Sequence, residues 1–331
     1  MTVKYMDAKR IQGLSSDTKP TNVPAGSIYV ETDTFYYSWF DGTTWTQPAR
    51  GLFTGGYNQN TGVLVNTIEY ITISTTGNAT DFGNLTALSN SCMGGGNGTR
   101  GVIALGNTGG DVNIIDYITM STLGNASDFG DLTEARGGGA GGLENGTRLV
   151  FAAGNPSTEP NKSNVIDYIT VASTGNATDF GDMTTTRSHL AACSSATRGI
   201  FAGGKNPTVF NTIDYVTIAS TGNATDFGDL TVSRQKVTGC SDQTRGIFSG
   251  GDEATDTIDY ITTASTGNAT DFGDLTSGGY YMSSCANGIR GVIGGGSFNT
   301  LDYVTIQTTG NASTFGNLSS GRAETAATSG D

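Results

Sequence analysis

From residue 50 to residue 331 the chain alternates apolar and polar residues in short bursts, and no stretch has a helical period. Ile213 to Ala219 carries the two-residue alternation of a half-buried strand. The same burst returns six times, as TIEYITISTTGNATDFGNLT, IIDYITMSTLGNASDFGDLT, VIDYITVASTGNATDFGDMT, TIDYVTIASTGNATDFGDLT, TIDYITTASTGNATDFGDLT and TLDYVTIQTTGNASTFGNLS. Their tyrosines, Tyr70, Tyr117, Tyr168, Tyr215, Tyr260 and Tyr303, are 47, 51, 47, 45 and 43 residues apart. A constant motif at variable spacing implies a fixed scaffold with loops of changing length. Each unit reads as four strands. In the fourth they are Ser188 to Ser194, small and apolar; Arg198 to Gly204, ending on a glycine pair; Ile213 to Ala219; and, after a Thr-Gly-Asn turn, Ala224 to Thr231 around Phe227. The density of Gly, Asn and Thr also argues against helix.

Four strands in 43–51 residues is the size of a propeller blade. The units resemble kelch repeats, whose second strand ends on Gly-Gly, whose third carries Tyr and whose fourth carries Trp. The glycine pair stands at Gly55-Gly56, Gly203-Gly204, Gly250-Gly251 and Gly294-Gly295, and degrades to Leu105-Gly106 and Ala153-Gly154. Phe82, Phe129, Phe180, Phe227, Phe272 and Phe315 stand where kelch repeats have tryptophan. The resemblance covers residues 50–331 and implies a fold, an all-β, six-bladed, kelch-like β-propeller, more than an activity. Residues 50–56 form a second strand with no first before it, and residues 321–331 form a first strand with no second after it. Together they are expected to complete one blade and so cover both edges.

Residues 1–49 fall outside the repeat and are expected to form a small β-rich module. They hold both tryptophans, Trp39 and Trp45, with Tyr36, Tyr37 and Phe40, and Asp41-Gly42 signals a hairpin. The segment is similar to the short aromatic leading modules of tailed-phage virion proteins. With the repeats, the chain resembles kelch-like structural proteins of marine cyanophages. The resemblance implies a virion location, with residues 1–49 contacting other virion proteins.

Composition narrows the classes. The chain has 331 residues, a net charge of −13 and a single histidine. A protein that tracks nucleic-acid phosphates would carry the opposite sign. No run approaches the roughly 20 apolar residues of a membrane-spanning helix, and the charged start MTVKYMDAKRI lacks the apolar region of a secretion signal. Four cysteines are too few for a disulfide scaffold and sit among Ala, Gly and Ser, as small buried residues do.

Three recurrent constellations invite a chemical reading. Asn78, Asn125, Asn176, Asn223, Asn268 and Asn311 each match a glycosylation acceptor, yet one such site at the same Gly-Asn turn of every unit fits turn chemistry better. Asn223, Asp226 and Asp229 recur in most units but lack the alternation of a calcium loop, and Thr314 replaces the aspartate in the sixth; capping of backbone NH groups is expected instead. Arg50, Arg100, Arg148, Arg198, Arg245 and Arg290 open the second strands. Six identical placements spread the charge around an axis rather than converge it, so these arginines are expected to bond acids or carbonyls of a neighbouring turn, with Glu69, Asp116, Asp167, Asp214, Asp259 and Asp302 as candidate acids.

No Ser-His-Asp set, CxxC pair or phosphate loop is apparent, and His189 alone cannot build a copper site. No catalytic group, cofactor or metal is expected. The expectation is a non-enzymatic virion protein of tail, fibre or capsid decoration; the other classes are a cellular or secreted kelch-like interaction scaffold and a polysaccharide-acting propeller enzyme. Strand alternation puts the nearly identical Thr-Arg-Gly and Thr-Gly-Asn turns on one face and all variable loops on the other. Recognition of a host glycan or protein is expected in the long loops Tyr57–Asn66, Asn155–Asn164 and Lys205–Asn211, through Tyr57, Gln59, Lys162, Lys205 and Phe210.

Overall fold

The computed structural model describes residues 4–7, 10–13, 17–24, 27–31, 37–40, 45–46, 49–156, 162–252 and 255–330. The chain divides into two compact units, residues 1–49 and 50–331. The second is a six-bladed β-propeller. Five blades are four-stranded antiparallel sheets whose strands follow chain order from the axis outward. In the Tyr215 blade these are Ala191–Ser194, Arg198–Ala202, Thr212–Thr217 and Thr225–Asp229.

The Tyr70 blade is built from both ends of this unit. Ala326–Gly330 forms its inner strand and pairs antiparallel with Arg50–Thr54, with Ala327 opposite Phe53. Val63–Thr72 and Thr80–Ser89 complete it, and the short strand Arg322–Ala323 pairs with Tyr57–Asn58 on the same sheet. The six inner strands pack side by side in a closed ring. Glycine allows this. At Gly94 a Cβ would stand 2.9 Å from both the Ala326 Cβ and the Ala327 carbonyl oxygen of the neighbouring inner strand.

The core lies between blades. Phe180, of the Tyr168 blade, is buried in one cluster with Val216 and Ile218 of the next blade. Aromatic side chains bury roughly 150–250 Å² each, so six such rings are a large share of the apolar stabilisation. In every blade the outer-strand Phe meets the third-strand Tyr edge-on, at 5.9 Å for Tyr215 and Phe227. The arginine that opens the second strand lies over the same Tyr, 4.6 Å from Arg198 to the Tyr215 ring centroid.

A second contact joins each blade to the next. The Thr-Gly-Asn turn of one blade docks on the Asp-Phe-Gly strand of the blade before it. Gly222 N donates to Phe180 O at 2.8 Å, Ala224 N to Asp182 O at 2.8 Å, and Asp182 N to the Asn223 Oδ1 at 3.0 Å. The turn comes so close that a Cβ on Gly181 would be 2.6 Å from the Gly222 carbonyl carbon and oxygen. The sixth clasp closes the ring: Gly77 N donates to Phe315 O at 3.0 Å and Asn317 N to Asn78 Oδ1 at 3.1 Å. The recurrent asparagines thus cap backbone NH groups across the blade boundary.

The unit of residues 1–49 is a sheet of five strands, Lys4–Asp7, Arg10–Gly13, Ile28–Glu31, Tyr37–Phe40 and Trp45–Thr46, in that order. The second and third pair parallel and the others antiparallel. Ile11 and Tyr29 are fully buried.

The clasp yields a direct test. Gly181→Ala drives a methyl into backbone at a left-handed φ of 146°, and we expect a loss of roughly 3 kcal/mol of unfolding free energy. Gly77→Ala, with nothing within 4 Å of its Cβ position, is expected to change stability by under about 1 kcal/mol. Urea titrations of both variants check this, and equal midpoints would contradict the close approach.

Candidate functional site: a basic vestibule on the loop face

The connection from each outer strand to the next inner strand brings one residue to the axis in the left-handed conformation. These residues are Ser91, Gly138, His189, Lys236, Tyr281 and Glu324, with φ between 54° and 61°. Five of the six are not glycine, so five bear the steric cost of this region, about 1–2 kcal/mol each. Their amides form a chain around the axis. Gly138 N donates to Ser91 O at 3.1 Å, His189 N to Gly138 O at 2.6 Å, Lys236 N to His189 O at 2.7 Å, Tyr281 N to Lys236 O at 3.3 Å and Glu324 N to Tyr281 O at 3.1 Å. Cys92 N closes it on Glu324 O at 3.4 Å. Strain concentrated in one ring is a structural reason to look for function there.

Buried ion pairs hold several of these residues from below. Arg187, two residues before His189, meets Asp214 at 2.8 Å. Arg234, two residues before Lys236, meets Asp259 at 2.6 Å and donates to Gly250 O and Thr257 O, both at 2.8 Å. Arg136 pairs with Asp167 at 2.9 Å and Arg322 with Glu69 at 2.5 Å. Burial pushes the Arg187 guanidinium down and the Asp214 carboxyl up from their ordinary values, with the partner charge opposing each shift. Leaving either charge buried alone would cost about 3–5 kcal/mol. The acids of the third strands are thus taken by these inner arginines. The arginines of the second strands reach carbonyls of the next blade instead, as Arg198 does to Thr263 O at 3.1 Å and Arg245 to Ile306 O at 3.1 Å.

Around His189 and Lys236 the loop face opens into a cavity of about 660 Å³, lined among others by Lys162, Ser188, Lys205, Asn206, Pro207 and Tyr281. A second cavity of about 320 Å³ runs along the inner strands, and His189, Lys236 and Tyr281 line both. Lys205 follows the glycine pair directly and is tied to the chain beside His189, its N donating to Ser188 O at 3.0 Å and its O accepting from Ser188 N at 3.3 Å. Lys162 donates to Asn155 Oδ1. Lys236 pairs with Asp252 at 2.9 Å and lies 4.6 Å from the Tyr281 ring centroid. The His189 ring meets Tyr281 at 5.5 Å between centroids, and its Nδ1 is 3.0 Å from Ser188 Oγ.

The placement of charge in the propeller is strongly sorted. Residues 50–331 contain three lysines and the one histidine, and all four line this vestibule. All ten arginines of the same residues are held over aromatic rings or in buried ion pairs. Burial and the nearby Lys205 lower the Lys162 pKa. Burial opposes the charge on Lys236, but its bond to Asp252, with Tyr281 beside it, more than offsets this and raises its pKa. Burial, with Lys162 and Lys236 near, lowers His189 from 6.5 to about 4.

Of the five binding residues expected from sequence, the fold brings Lys162 and Lys205 together and leaves the others elsewhere. Tyr57 and Gln59 are exposed on the Tyr70 blade, where Gln59 N donates to Gly321 O at 3.0 Å. Phe210 is half-buried, its N donating to Gly204 O at 2.8 Å, and it does not line the vestibule. Residues 157–161 of the Asn155–Asn164 loop lie outside the described residues. Among the aromatic residues of the leading module, Tyr37, Trp39 and Phe40 lie on one strand and Trp45 on the next, while Tyr36 lies outside the described residues. Sequence reasoning missed Lys236, Tyr281 and the site role of His189. The signal was present: at one fixed register, two residues after the inner arginine position, the six repeats read Ser, Gly, His, Lys, Tyr and Glu.

Among the described residues no group of three or more His, Cys, Asp or Glu is placed to hold a metal ion. The four cysteines are free, and Cys193, Cys240 and Cys285 are buried. No protein-family model matches the chain, and no curated protein matches it.

The lowered His189 pKa has a defined sign. The folded state binds this proton less readily than the unfolded state, so the associated stability is fully present above pH 6.5 and is lost as pH falls toward 4. Asn tolerates the left-handed conformation, so His189→Asn is the informative variant. The wild type is expected to lose more unfolding free energy than His189→Asn between pH 6.5 and pH 4 in urea titrations; parallel profiles would contradict the assignment.

Proposed function

We propose that this protein is a non-enzymatic structural protein of a tailed-phage virion, and that its propeller presents the loop face to a glycan or protein of the host surface. The carrying observation is the gathering of all three propeller lysines and the histidine in one vestibule on that face. The opposite face repeats nearly the same turns in every blade, and its Gly-Asn turns join each blade to the one before it. A scaffold that fixes one face and varies the other is suited to recognition. The repeat chemistry supports a kelch-like lineage, through the glycine pair, the third-strand Tyr and an outer-strand aromatic. The virion placement draws its support from the similarity of the leading module to those of phage structural proteins.

Residues 1–49 form a compact unit of their own, and in this reading they join the propeller to other virion proteins. Their aromatic load, Tyr36, Tyr37, Trp39, Phe40 and Trp45, matches the enrichment of aromatics in interface cores. The acidic body disfavours nucleic acid as a partner. Deletion of residues 1–49 is expected to leave a folded propeller that is no longer incorporated when particles assemble, measured by the protein content of purified particles. Incorporation at the full-length level would overturn the attachment role.

A further inference from the structure

The vestibule combines three properties that together define a ligand class. Its charge is local. Lys162, Lys205 and Lys236 line it, against Asp252 paired with Lys236 and Glu324 next to Tyr281 in the axial ring, inside a chain of net charge −13. Screening confines the lysine field to about 8–10 Å at physiological salt, and beyond that range the acidic body repels anions. An extended polyanion would be opposed along its length, whereas a single anionic group at the end of a ligand would be held. Lysine ammonium groups also suit such a group as point charges without demanding the forked geometry that arginine imposes.

The second property is the lining. Tyr281 and Pro207 add apolar surface, and Thr186, Ser188 and Asn206 add hydroxyl and amide groups. A ring with one polar edge and one apolar face fits that mixture. The third is size. About 660 Å³ lies within the range of small-ligand pockets, roughly 300–1,000 Å³, and above what a bare inorganic anion fills.

We propose that the vestibule binds a terminal sugar unit bearing one carboxylate or sulfate group, with Lys162 and Lys205 holding the anion and Tyr281 lying against the sugar ring. Lys236 is partly neutralised by Asp252, so it orients Tyr281 more than it attracts the ligand. This inference rests on the reading of the loop face as the recognition face and names its ligand class; it is independent of whether the protein sits in a virion.

The single histidine makes the test specific. The imidazole of His189 is the only one in the chain, so its NMR signals in the full-length protein report the point where the vestibule meets the axial cavity, and the lysine variant below assigns a response to the vestibule. The groups that face it are Lys162, Lys205, Lys236, Asp252 and Tyr281. Glucuronate, glucose 6-sulfate, glucose and inorganic sulfate are titrated in turn. Glucuronate and glucose 6-sulfate are expected to shift the His189 signals saturably and to raise its pKa, because a bound anion favours the imidazolium. Glucose is expected to leave them unmoved, and inorganic sulfate to bind at least about tenfold more weakly than glucose 6-sulfate, a difference of about 1.4 kcal/mol. The double variant Lys162→Ala, Lys205→Ala is expected to abolish the response while its backbone amide spectrum stays that of the folded protein. The proposal is overturned if neither acidic sugar moves His189 at up to about 50 mM, well above the millimolar range of weak specific sites. It is overturned equally if inorganic sulfate matches glucose 6-sulfate, which would make the vestibule an anion hole without sugar recognition, or if the double lysine variant responds as the wild type does. Loss of this response with intact dependence of particle incorporation on residues 1–49 would refute the ligand and leave virion attachment standing; the converse pattern would do the reverse.

Discussion

Every blade is held to its neighbour by the docking of a Thr-Gly-Asn turn on an Asp-Phe-Gly strand, and the rest of the propeller depends on that contact. It satisfies backbone groups at the outer edge of each sheet, which would otherwise be free to pair with other chains. It needs glycine on the receiving strand, because the turn carbonyl occupies the space of a side chain, and it uses the asparagine carboxamide to cap the strand. This explains why the sequence repeats these residues with so little change. The same constraint accounts for the six arginines of the second strands, each lying over its own tyrosine while bonding carbonyls of the next blade. What looks like a string of modification or calcium motifs is a joint made six times.

Fixing one face in this way leaves variation to the other. There the inner arginines and third-strand acids anchor the chain as it turns toward the axis, and the next two residues bring a side chain to the mouth of the ring. Asp116 and Asp302 show what happens without the arginine. Ser89 and Gly279 take its place, and the buried acids keep only the bonds from Thr86 and Thr276, which Thr133, Thr184 and Thr231 also make to the arginine-paired acids of their blades. Burial raises the pKa of the Asp116 carboxyl, and the bonds from Thr86 oppose that shift. The ring residues therefore stand on a scaffold that tolerates different supports, which is why they differ from blade to blade. His189, Lys236 and Tyr281 come from three successive blades, and the packing of consecutive inner strands around a narrow axis makes them neighbours.

The fold was legible because its rules are local. Strand alternation at Ile213 to Ala219, the positive-φ glycine pairs and the phenylalanine of each outer strand carry the architecture without reference to distant residues. The inner strands were equally plain, as small residues must line a narrow axis. The site was only half legible. Lys162 and Lys205 stood out in long loops, but loop length drew equal notice to Tyr57 and Phe210, which the fold places away from the vestibule. Which loops converge depends on blade order around the axis and on how each loop leaves the glycine pair. Lys236 and Tyr281 were hidden for a different reason. They sit in short connections that read as structural, and their role follows from a register shared across repeats rather than from any motif. The arginine partners were also beyond a one-dimensional reading, since two sets of arginines compete for one set of acids and the depth of burial decides between them.

Closure carries all of this, and it can be tested at the contact that makes it. The amides of Gly77, Gly124, Gly175, Gly222, Gly267 and Gly310 each donate to the phenylalanine carbonyl of the preceding blade. Native-state hydrogen exchange reads the opening free energy of each one. If the strands Arg50–Thr54 and Ala326–Gly330 close the ring, Gly77 at the closing junction will be protected to the same degree as the other five. If Gly77 exchanges as an unprotected amide while the five others remain protected, the propeller is an open arc and the closed ring is refuted.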